Sequence, residues 1–144
     1  MVEIRPMTKE DTLQVAELEN QYFSEPWSEQ AFLDALDKKD YLYMVAEEDG
    51  AIVGYCGLYQ VLDEGNITQV AVREDMRGRG IARELLQDFM QNGNRRGIDA
   101  YTLEVRVSNR SAIRLYEACG FVTECIRKDF YSLPKEDAYI MWKR

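Results

Sequence analysis

Three stretches rich in aromatic and aliphatic residues follow one another in the middle of the chain: Tyr41–Glu47, Ala51–Gln60 and Ile67–Val72. Asp49-Gly50 separates the first two stretches and favours a tight hairpin turn, because a type I′ turn needs positive φ at both central positions. A second turn is expected at Asp63-Glu64-Gly65. The pattern therefore predicts an antiparallel meander of three consecutive strands.

Helices are expected on both sides of this meander. Before it, a short strand at 2–6 leads to two helices with N-cap candidates Thr8 and Ser28. The apolar residues that these two helices carry are Leu13, Ala16, Leu18, Phe32, Ala35 and Leu36. After the meander, apolar residues at helical spacing begin at Ile81. This helix is expected to end at the glycines Gly93 and Gly97.

The last third of the chain predicts a strand, a helix and two further strands. These segments are Tyr101–Val107, a helix from Ser108 or Asn109 to Ala118, Thr123–Phe130 and Ala138–Trp142. Gly120 follows the helix as an expected αL terminator. No repeat or linker-like segment interrupts residues 1–144, so we expect one domain with a mixed α/β sheet covered by helices.

The charge and the absence of histidine limit the possible functions. The chain has 18 Lys+Arg against 26 Asp+Glu, and its net charge of −8 disfavours nucleic acid and anionic membranes as partners. No histidine is present, which excludes Ser-His-Asp and Cys-His catalysis, histidine-ligated zinc and a histidine base. Catalysis near neutral pH must therefore use carboxylate, tyrosine, lysine, cysteine or backbone groups.

The cysteines and the apolar segments indicate a cytoplasmic protein. Cys56, Cys119 and Cys125 are odd in number and contain no Cys-x-x-Cys pair, so neither a disulfide framework nor a four-thiolate metal site is expected. The N-terminus lacks the layout of a signal peptide, and no apolar stretch is long enough to span a bilayer.

A glycine- and arginine-rich loop joins the third strand of the meander to the helix that begins at Ile81. Its two glycines allow the backbone to approach a ligand, and the helix N-terminus behind them presents unpaired N–H groups. Arginines crowd this helix start in an otherwise acidic chain: Arg73, Arg77, Arg79 and Arg83. Because cations are unfavourable at a helix N-terminus, this arrangement predicts a bound anion such as a diphosphate. The P-loop and dinucleotide-binding motifs do not fit the loop.

Residues 77–82 read Arg-Gly-Arg-Gly-Ile-Ala, which resembles the acyl-CoA motif Arg/Gln-x-x-Gly-x-Gly/Ala of the GNAT acetyltransferase superfamily. Segments elsewhere resemble its ribosomal-protein-alanine N-acetyltransferase branch: Pro26–Ser28, Leu103–Arg106, Ser108-Asn109, Ala112-Ile113, Leu115–Glu117, Gly120-Phe121 and Glu136–Ala138. The resemblance implies a mixed, mostly antiparallel sheet of about seven strands flanked by about four helices. It also implies acetyl-CoA-dependent acetylation of a protein N-terminus by direct attack in a ternary complex.

The resemblance further implies site residues and partners. It makes Glu104 the general base, acting through ordered water, and Tyr116 the general acid for the departing thiolate. Seven residues separate Asn109 from Tyr116, so both lie on one helix face. The cofactor-binding residues implied are Val70, Ala71, Val72, Arg77, Gly78, Arg79, Gly80, Ile81, Ala82 and Asn109. The implied acceptor is a small-subunit ribosomal protein that begins with alanine; no metal is required, and a monomer or weak homodimer is expected.

Other interpretations of these residues stay open. Glu104 could be a strand carboxylate paired with arginine, Asn109 a helix cap, and Tyr116 a half-buried core aromatic. Aromatic residues and a proline are candidates for the acceptor slot, with a core or rim role as the alternative: Pro26, Trp27, Phe130 and Tyr131. The enzyme could instead acetylate a small amine such as a polyamine or amino sugar. The chain could also be a non-catalytic acyl-CoA-binding module.

Overall fold

The computed structural model describes residues 1–144, and its elements follow the order that the sequence predicts. The strands are β1 (Glu3–Pro6), β2 (Tyr41–Glu48), β3 (Ala51–Val61), β4 (Glu64–Val72), β5 (Ala100–Arg106), β6 (Val122–Ser132) and β7 (Lys135–Lys143). The α-helices are α1 (Thr12–Tyr22), α2 (Glu29–Leu36), α3 (Ile81–Arg95) and α4 (Arg110–Ala118). None of these helices is both long and apolar enough to cross a membrane.

The predicted meander forms three adjacent strands, β2, β3 and β4, of a seven-stranded sheet with the order β1-β2-β3-β4-β5-β7-β6. Asp49 and Gly50 have φ angles of 52° and 82°, which confirms the first turn. The second turn lies at Leu62 and Asp63, earlier than predicted, because Gly65 is paired with Gln60 inside the ladder. A Cβ on Gly65 would lie 3.1 Å from the Tyr101 ring, so this glycine serves close packing rather than the turn.

The sheet opens between its only parallel pair of strands. β4 and β5 are paired at just three positions, of which Asn66 and Thr102 are the last. Beyond this point the two strands separate, although β4 remains paired with β3 as far as Val72 and β5 with β7 as far as Arg106. The C-terminal halves of β4 and β5 therefore border a gap in the middle of the sheet.

Helices cover both faces of the sheet. α3 and α4 pack on one face over a core that includes Leu85, Phe89 and Met141. α1 and α2 pack on the other face through residues such as Val15 and Phe32. The N-terminal part of this second layer begins with a short 3₁₀ turn, and α1 itself starts only at Thr12.

The N-cap candidate Thr8 belongs to this short turn. The Thr8–Asp11 capping box caps the 3₁₀ turn rather than α1, which differs from the expectation that Thr8 begins the first α-helix. On α1, Val15 and Leu18 face the core, whereas Leu13 is 55% exposed.

The glycines around α3 and α4 have separate roles. Gly93 does not end α3: it lies inside the helix, and a Cβ there would be 2.3 Å from the Tyr101 hydroxyl. Gly97, with φ of 88°, follows the helix end. Gly120, with φ of 98°, terminates α4 as predicted, and the N–H of Phe121 donates a hydrogen bond to the Tyr116 carbonyl.

Candidate active site

A cavity of about 580 Å³ occupies the region where β4 and β5 separate. We call it the large cavity. β4, the loop after it, the start of α3 and one side of α4 line it, together with the end of α1. Its residues are Tyr22, Phe23, Val70, Ala71, Val72, Met76, Arg77, Gly78, Gly80, Ile81, Ala82, Arg83, Asn109, Ser111, Ala112, Leu115 and Tyr116.

The loop beside this cavity turns at two glycines. Gly78 and Gly80 have φ angles of 81° and 79°, a region that other L-residues rarely adopt. Gly80 is the N-cap of α3, and no side chain caps this helix end. The first-turn N–H groups are therefore left without a side-chain acceptor at the positive end of the helix dipole. This end of the cavity suits an anion such as a diphosphate.

The four arginines of the loop and of the first turn of α3 make different contacts. Arg77 donates from Nε to the Val72 carbonyl at 2.9 Å, and its guanidinium lies 4.8 Å from the centre of the Tyr22 ring. Arg83 also lines the cavity. Arg73 is paired with Asp75, with 2.6 Å between Nε and the carboxylate. Arg79 does not line the cavity, so the structure does not bring this predicted residue to the site.

Asn109 and Tyr116 reach the large cavity from α4. Asn109 is the N-cap: its Oδ1 accepts from the Ala112 N–H at 3.3 Å, which leaves its amide nitrogen free of a protein partner. Tyr116 is 8% exposed and packs edge-on against Phe121. No protein group hydrogen-bonds to its hydroxyl. Burial raises the pKa of Tyr116 well above the ordinary tyrosine value, so its phenol keeps its proton.

A second cavity of about 360 Å³ lies next to the first, between the end of α1 and the β6–β7 hairpin. We call it the small cavity. Its lining residues are Tyr22, Phe23, Ser24, Glu25, Arg106, Phe130, Tyr131, Ser132 and Leu133. Tyr22 and Phe23 line both cavities, so these two residues form the wall that the cavities share.

Glu104 lies on β5 and lines neither cavity, but its charge acts on Tyr131, which lines the small cavity. It shares a strand face with Arg106, and the adjacent Leu103 and Val105 point into the core on the other face. Solvent reaches its side chain, yet neighbouring protein atoms desolvate it and raise its pKa above the ordinary glutamate value, although the positive charge of Arg127 acts in the opposite direction. Burial, together with the Glu104 charge, raises the pKa of Tyr131 to about 12.

The ion pair between Glu104 and a neighbouring arginine, which the sequence left open, does not form. Arg106, two residues along the same face, is bound instead to Glu136, with 3.2 Å between Nη1 and the carboxylate. Glu104 forms no ion pair or side-chain hydrogen bond with the protein. A desolvated carboxylate without a fixed partner is well suited to accept a proton.

Most of the predicted site residues converge on the two cavities. The ones on the large cavity are Val70, Ala71, Val72, Arg77, Gly78, Gly80, Ile81, Ala82, Asn109 and Tyr116; those on the small cavity are Phe130 and Tyr131. Trp27 lines neither cavity. Its ring packs against Phe32 at 5.3 Å and its backbone N–H donates to Glu19 at 3.0 Å, so it is a core residue behind the site. Pro26 is exposed and lines neither cavity.

The aromatic residues that the two cavities share, Tyr22 and Phe23, were not predicted from the sequence. Tyr22 ends α1, and its hydroxyl accepts from the Glu74 N–H at 2.9 Å, which ties the helix to the loop after β4. Phe23 follows it as the helix C-cap. The Tyr22-Phe23 pair, which Ser24 and Glu25 separate from Pro26, was the only available signal, and it was not distinguishable from core aromatics.

A sheet opened between parallel strands, with an uncapped, glycine-rich helix start at the opening, can hold the diphosphate of a coenzyme, as an acyltransferase that draws its acyl group from coenzyme A requires. The chain belongs to the GNAT acetyltransferase family, whose sequence model matches residues 12–121. It is accordingly an acetyltransferase, and acetyl-CoA is its acetyl donor.

Comparison with known proteins identifies similar N-acetyltransferases. The chain is 36% identical to the ribosomal protein bS18-alanine N-acetyltransferase of Escherichia coli (strain K12), with 81% of this chain and 79% of the relative aligned. It is 34% identical to the N-alpha-acetyltransferase RimI of Mycobacterium tuberculosis, over 97% and 90% of the two chains. The crystal structure of the E. coli ribosomal-protein-S18-alanine N-acetyltransferase matches with a TM-score of 0.89 and 32% identity, over 99% of this chain and 93% of that one. The predicted family and fold are confirmed.

Proposed function

We propose that this enzyme acetylates the α-amino group of a protein N-terminus, and that its substrate is a ribosomal protein beginning with alanine. The observation that carries the proposal is the shared wall of the two cavities, formed by Tyr22 and Phe23. A donor in the large cavity and a chain end in the small cavity would meet beside these rings. The E. coli and M. tuberculosis relatives, whose names describe N-terminal acetylation, support the same substrate class.

The residues of the large cavity would hold acetyl-CoA. The N–H groups at Gly78, Gly80 and the start of α3 would bind the diphosphate, supported by the charges of Arg77 and Arg83. The edge of β4 that faces β5 has no strand partner beyond Asn66, so its backbone groups near Val70–Val72, apart from the Val72 carbonyl that Arg77 already occupies, are available to the pantetheine amides. The free amide nitrogen of Asn109 would donate a further hydrogen bond from α4.

Glu104 would remove the proton from the acceptor amine. An α-amino group has a reference pKa near 8, so a modest base is sufficient to deprotonate it. Desolvation makes Glu104 more basic than an exposed carboxylate, which improves its fit to this task. Direct contact or one ordered water would carry the proton.

Tyr116 would stabilise the leaving sulfur. When bound, acetyl-CoA supplies a thioester whose carbonyl a neutral amine attacks readily. The Tyr116 hydroxyl lines the cavity and keeps its proton because burial raises its pKa. It can therefore donate a hydrogen bond to a developing thiolate, and the surrounding apolar groups strengthen that bond.

An acetylation assay tests the proposed function. The purified protein is mixed with acetyl-CoA and a peptide that copies the alanine-first N-terminus of ribosomal protein bS18, and free thiol and product mass are followed. Fragmentation should place one acetyl group on the α-nitrogen, and the same peptide with a blocked N-terminus should release no thiol. Acetylation of a lysine side chain, or turnover only of small amines such as spermidine, would overturn the proposal.

A further inference from the structure

The small cavity contains one charged side chain whose charge the protein does not compensate. Glu25 and Arg106 are the only charged residues that line it. Glu25 has no ion-pair partner, and its carboxylate accepts a single hydrogen bond, from the Ser132 hydroxyl at 3.1 Å. Because a hydroxyl is neutral, this bond leaves the negative charge of Glu25 uncompensated.

Arg106 does not provide the missing charge. Its guanidinium donates to the carbonyls of Leu133 and Pro134 at 2.9 and 2.8 Å and is paired with Glu136. It also stacks on Tyr131, with 4.1 Å between the guanidinium carbon and the ring centre. These contacts hold Arg106 against the β6–β7 turn and commit its donors. The small cavity therefore contains one carboxylate without an ion-pair partner, that of Glu25, and one guanidinium that is already paired, that of Arg106.

The rest of the cavity favours the same kind of ligand. Its aromatic walls are Tyr22, Phe23, Phe130 and Tyr131, and aromatic rings attract a cation that lies over their faces. Arginines already stack on Tyr22, Phe130 and Tyr131, so the ring of Phe23 is the one left for a ligand cation. Arg127 already stacks on Phe130 at 5.0 Å, but it does not line the cavity. The net charge of −8 attracts basic chains to the whole surface.

From this arrangement we infer that Glu25 selects the acceptor: it binds an arginine or lysine side chain within the first few residues after the acetylated one. The inference rests on the proposed function, since it requires a polypeptide end in the small cavity. It narrows the substrate class to N-termini with an early basic residue. It also makes acidic residues at the same place unfavourable, because no free cation in the cavity would receive them.

A peptide panel tests this inference. Alanine-first heptapeptide amides with an uncharged background carry Arg, Gln or Glu at position 2, 3 or 4, and kcat/KM is measured for each. At one of these positions the wild-type enzyme should prefer Arg over Gln by about fivefold, and Glu should be the poorest. The preference should shrink as sodium chloride is raised from about 20 mM to about 300 mM.

Substitutions at exposed positions show whether Glu25 causes the preference for Arg. Glu25→Gln should bring the Arg/Gln ratio close to one, and Glu25→Lys should reverse it in favour of Glu. Glu17→Gln, an exposed carboxylate on α1 outside both cavities, should keep the wild-type ratio, as should Ser132→Ala, which removes the hydrogen bond but not the charge.

The outcomes separate this inference from the proposed function. If the wild type acetylates all peptides with equal kcat/KM, or if Glu25→Gln keeps the full preference for Arg, the role of Glu25 is wrong while N-terminal acetylation stands. If no peptide is acetylated whatever its charge, and spermidine is, the proposed function itself is wrong.

Discussion

The hydroxyl of Tyr55 donates to the carboxylate of Glu19 at 2.6 Å in the interior between the sheet and α1. Both side chains are almost fully buried. The second oxygen of Glu19 accepts from the backbone N–H of Trp27 at 3.0 Å. One buried carboxylate thus ties β3 to the segment that follows Tyr22 and Phe23, the two rings shared by the cavities.

Replacing Tyr55 with phenylalanine should destabilise the fold. The change removes a hydrogen bond to a buried carboxylate, and the expected loss is about 1–3 kcal/mol of unfolding free energy in urea at pH 7. Tyr59→Phe is the matched control, because Tyr59 is 36% exposed and its hydroxyl has no partner in the protein. An equal loss in both variants would show that the Glu19 contact does not matter.

The loss of unfolding free energy caused by Tyr55→Phe should depend on pH. Burial raises the pKa of Glu19 above its ordinary value of 4.5, so this group favours folding below the unfolded value and loses that contribution as the pH rises through the folded value. Without Tyr55 the folded pKa rises further. The stability difference between wild type and Tyr55→Phe should therefore be largest near neutral pH and should decrease as the pH falls and Glu19 takes up its proton. A difference that grows on acidification would contradict this account.

Gly80→Ala should weaken acetyl-CoA binding. Nothing lies within 4 Å of the added Cβ, so the protein itself tolerates its volume; the φ of 79° costs about 1 kcal/mol of stability. The methyl group would stand where the diphosphate approaches, and we expect about a tenfold rise in Kd by calorimetry. Gly97→Ala is the control: its φ is 88° and its Cβ is also unobstructed, but it lies outside the large cavity. Equal Kd values for the two variants would mean that the loop does not bind the coenzyme.

Glu104→Gln should lower kcat by about 100-fold or more while leaving the Kd for acetyl-CoA unchanged, because general base catalysis contributes about that much. In the wild type, kcat/KM should rise with pH as Glu104 loses its proton through its raised pKa and as the amine deprotonates. The exposed Glu117 on α4 is the control position, and Glu117→Gln should retain activity. Full activity of Glu104→Gln would remove its role as base.

Tyr116→Phe should lose activity without losing stability. The ring packs in the core and its hydroxyl has no protein partner, so the unfolding free energy should stay within about 0.5 kcal/mol of the wild type. Thiol release should slow by about 100-fold if the phenol protonates the leaving sulfur. Since burial raises the Tyr116 pKa, the wild type should show no loss of activity up to about pH 9 from ionisation of this group. A variant as fast as the wild type would assign Tyr116 a packing role only.

Several features of this protein could be predicted from the sequence because short-range rules determine them. The Asp49-Gly50 turn, the Ser28 cap and the αL terminator Gly120 depend on the φ preferences and hydrogen bonds of a few adjacent residues. The cluster of glycine and arginine before α3 is likewise local, and from it alone the sequence predicts the loop that we propose to bind the diphosphate. The same holds for the shared face of Asn109 and Tyr116 on α4, which follows from helical spacing.

Long-range packing decided the rest. Whether β4 and β5 stay paired or separate after Asn66 depends on the strands and helices around them, and this separation creates the large cavity. Tyr22 and Phe130 come from distant parts of the chain to face the small cavity, whereas Trp27, only five positions after Tyr22, packs against the core. The sequence likewise did not predict that Arg79 lies outside the large cavity or that Glu19 is buried. A side chain's type states what it can bind, but only the assembled tertiary structure determines whether it faces a ligand, a partner or solvent, because burial is set by residues far away in sequence.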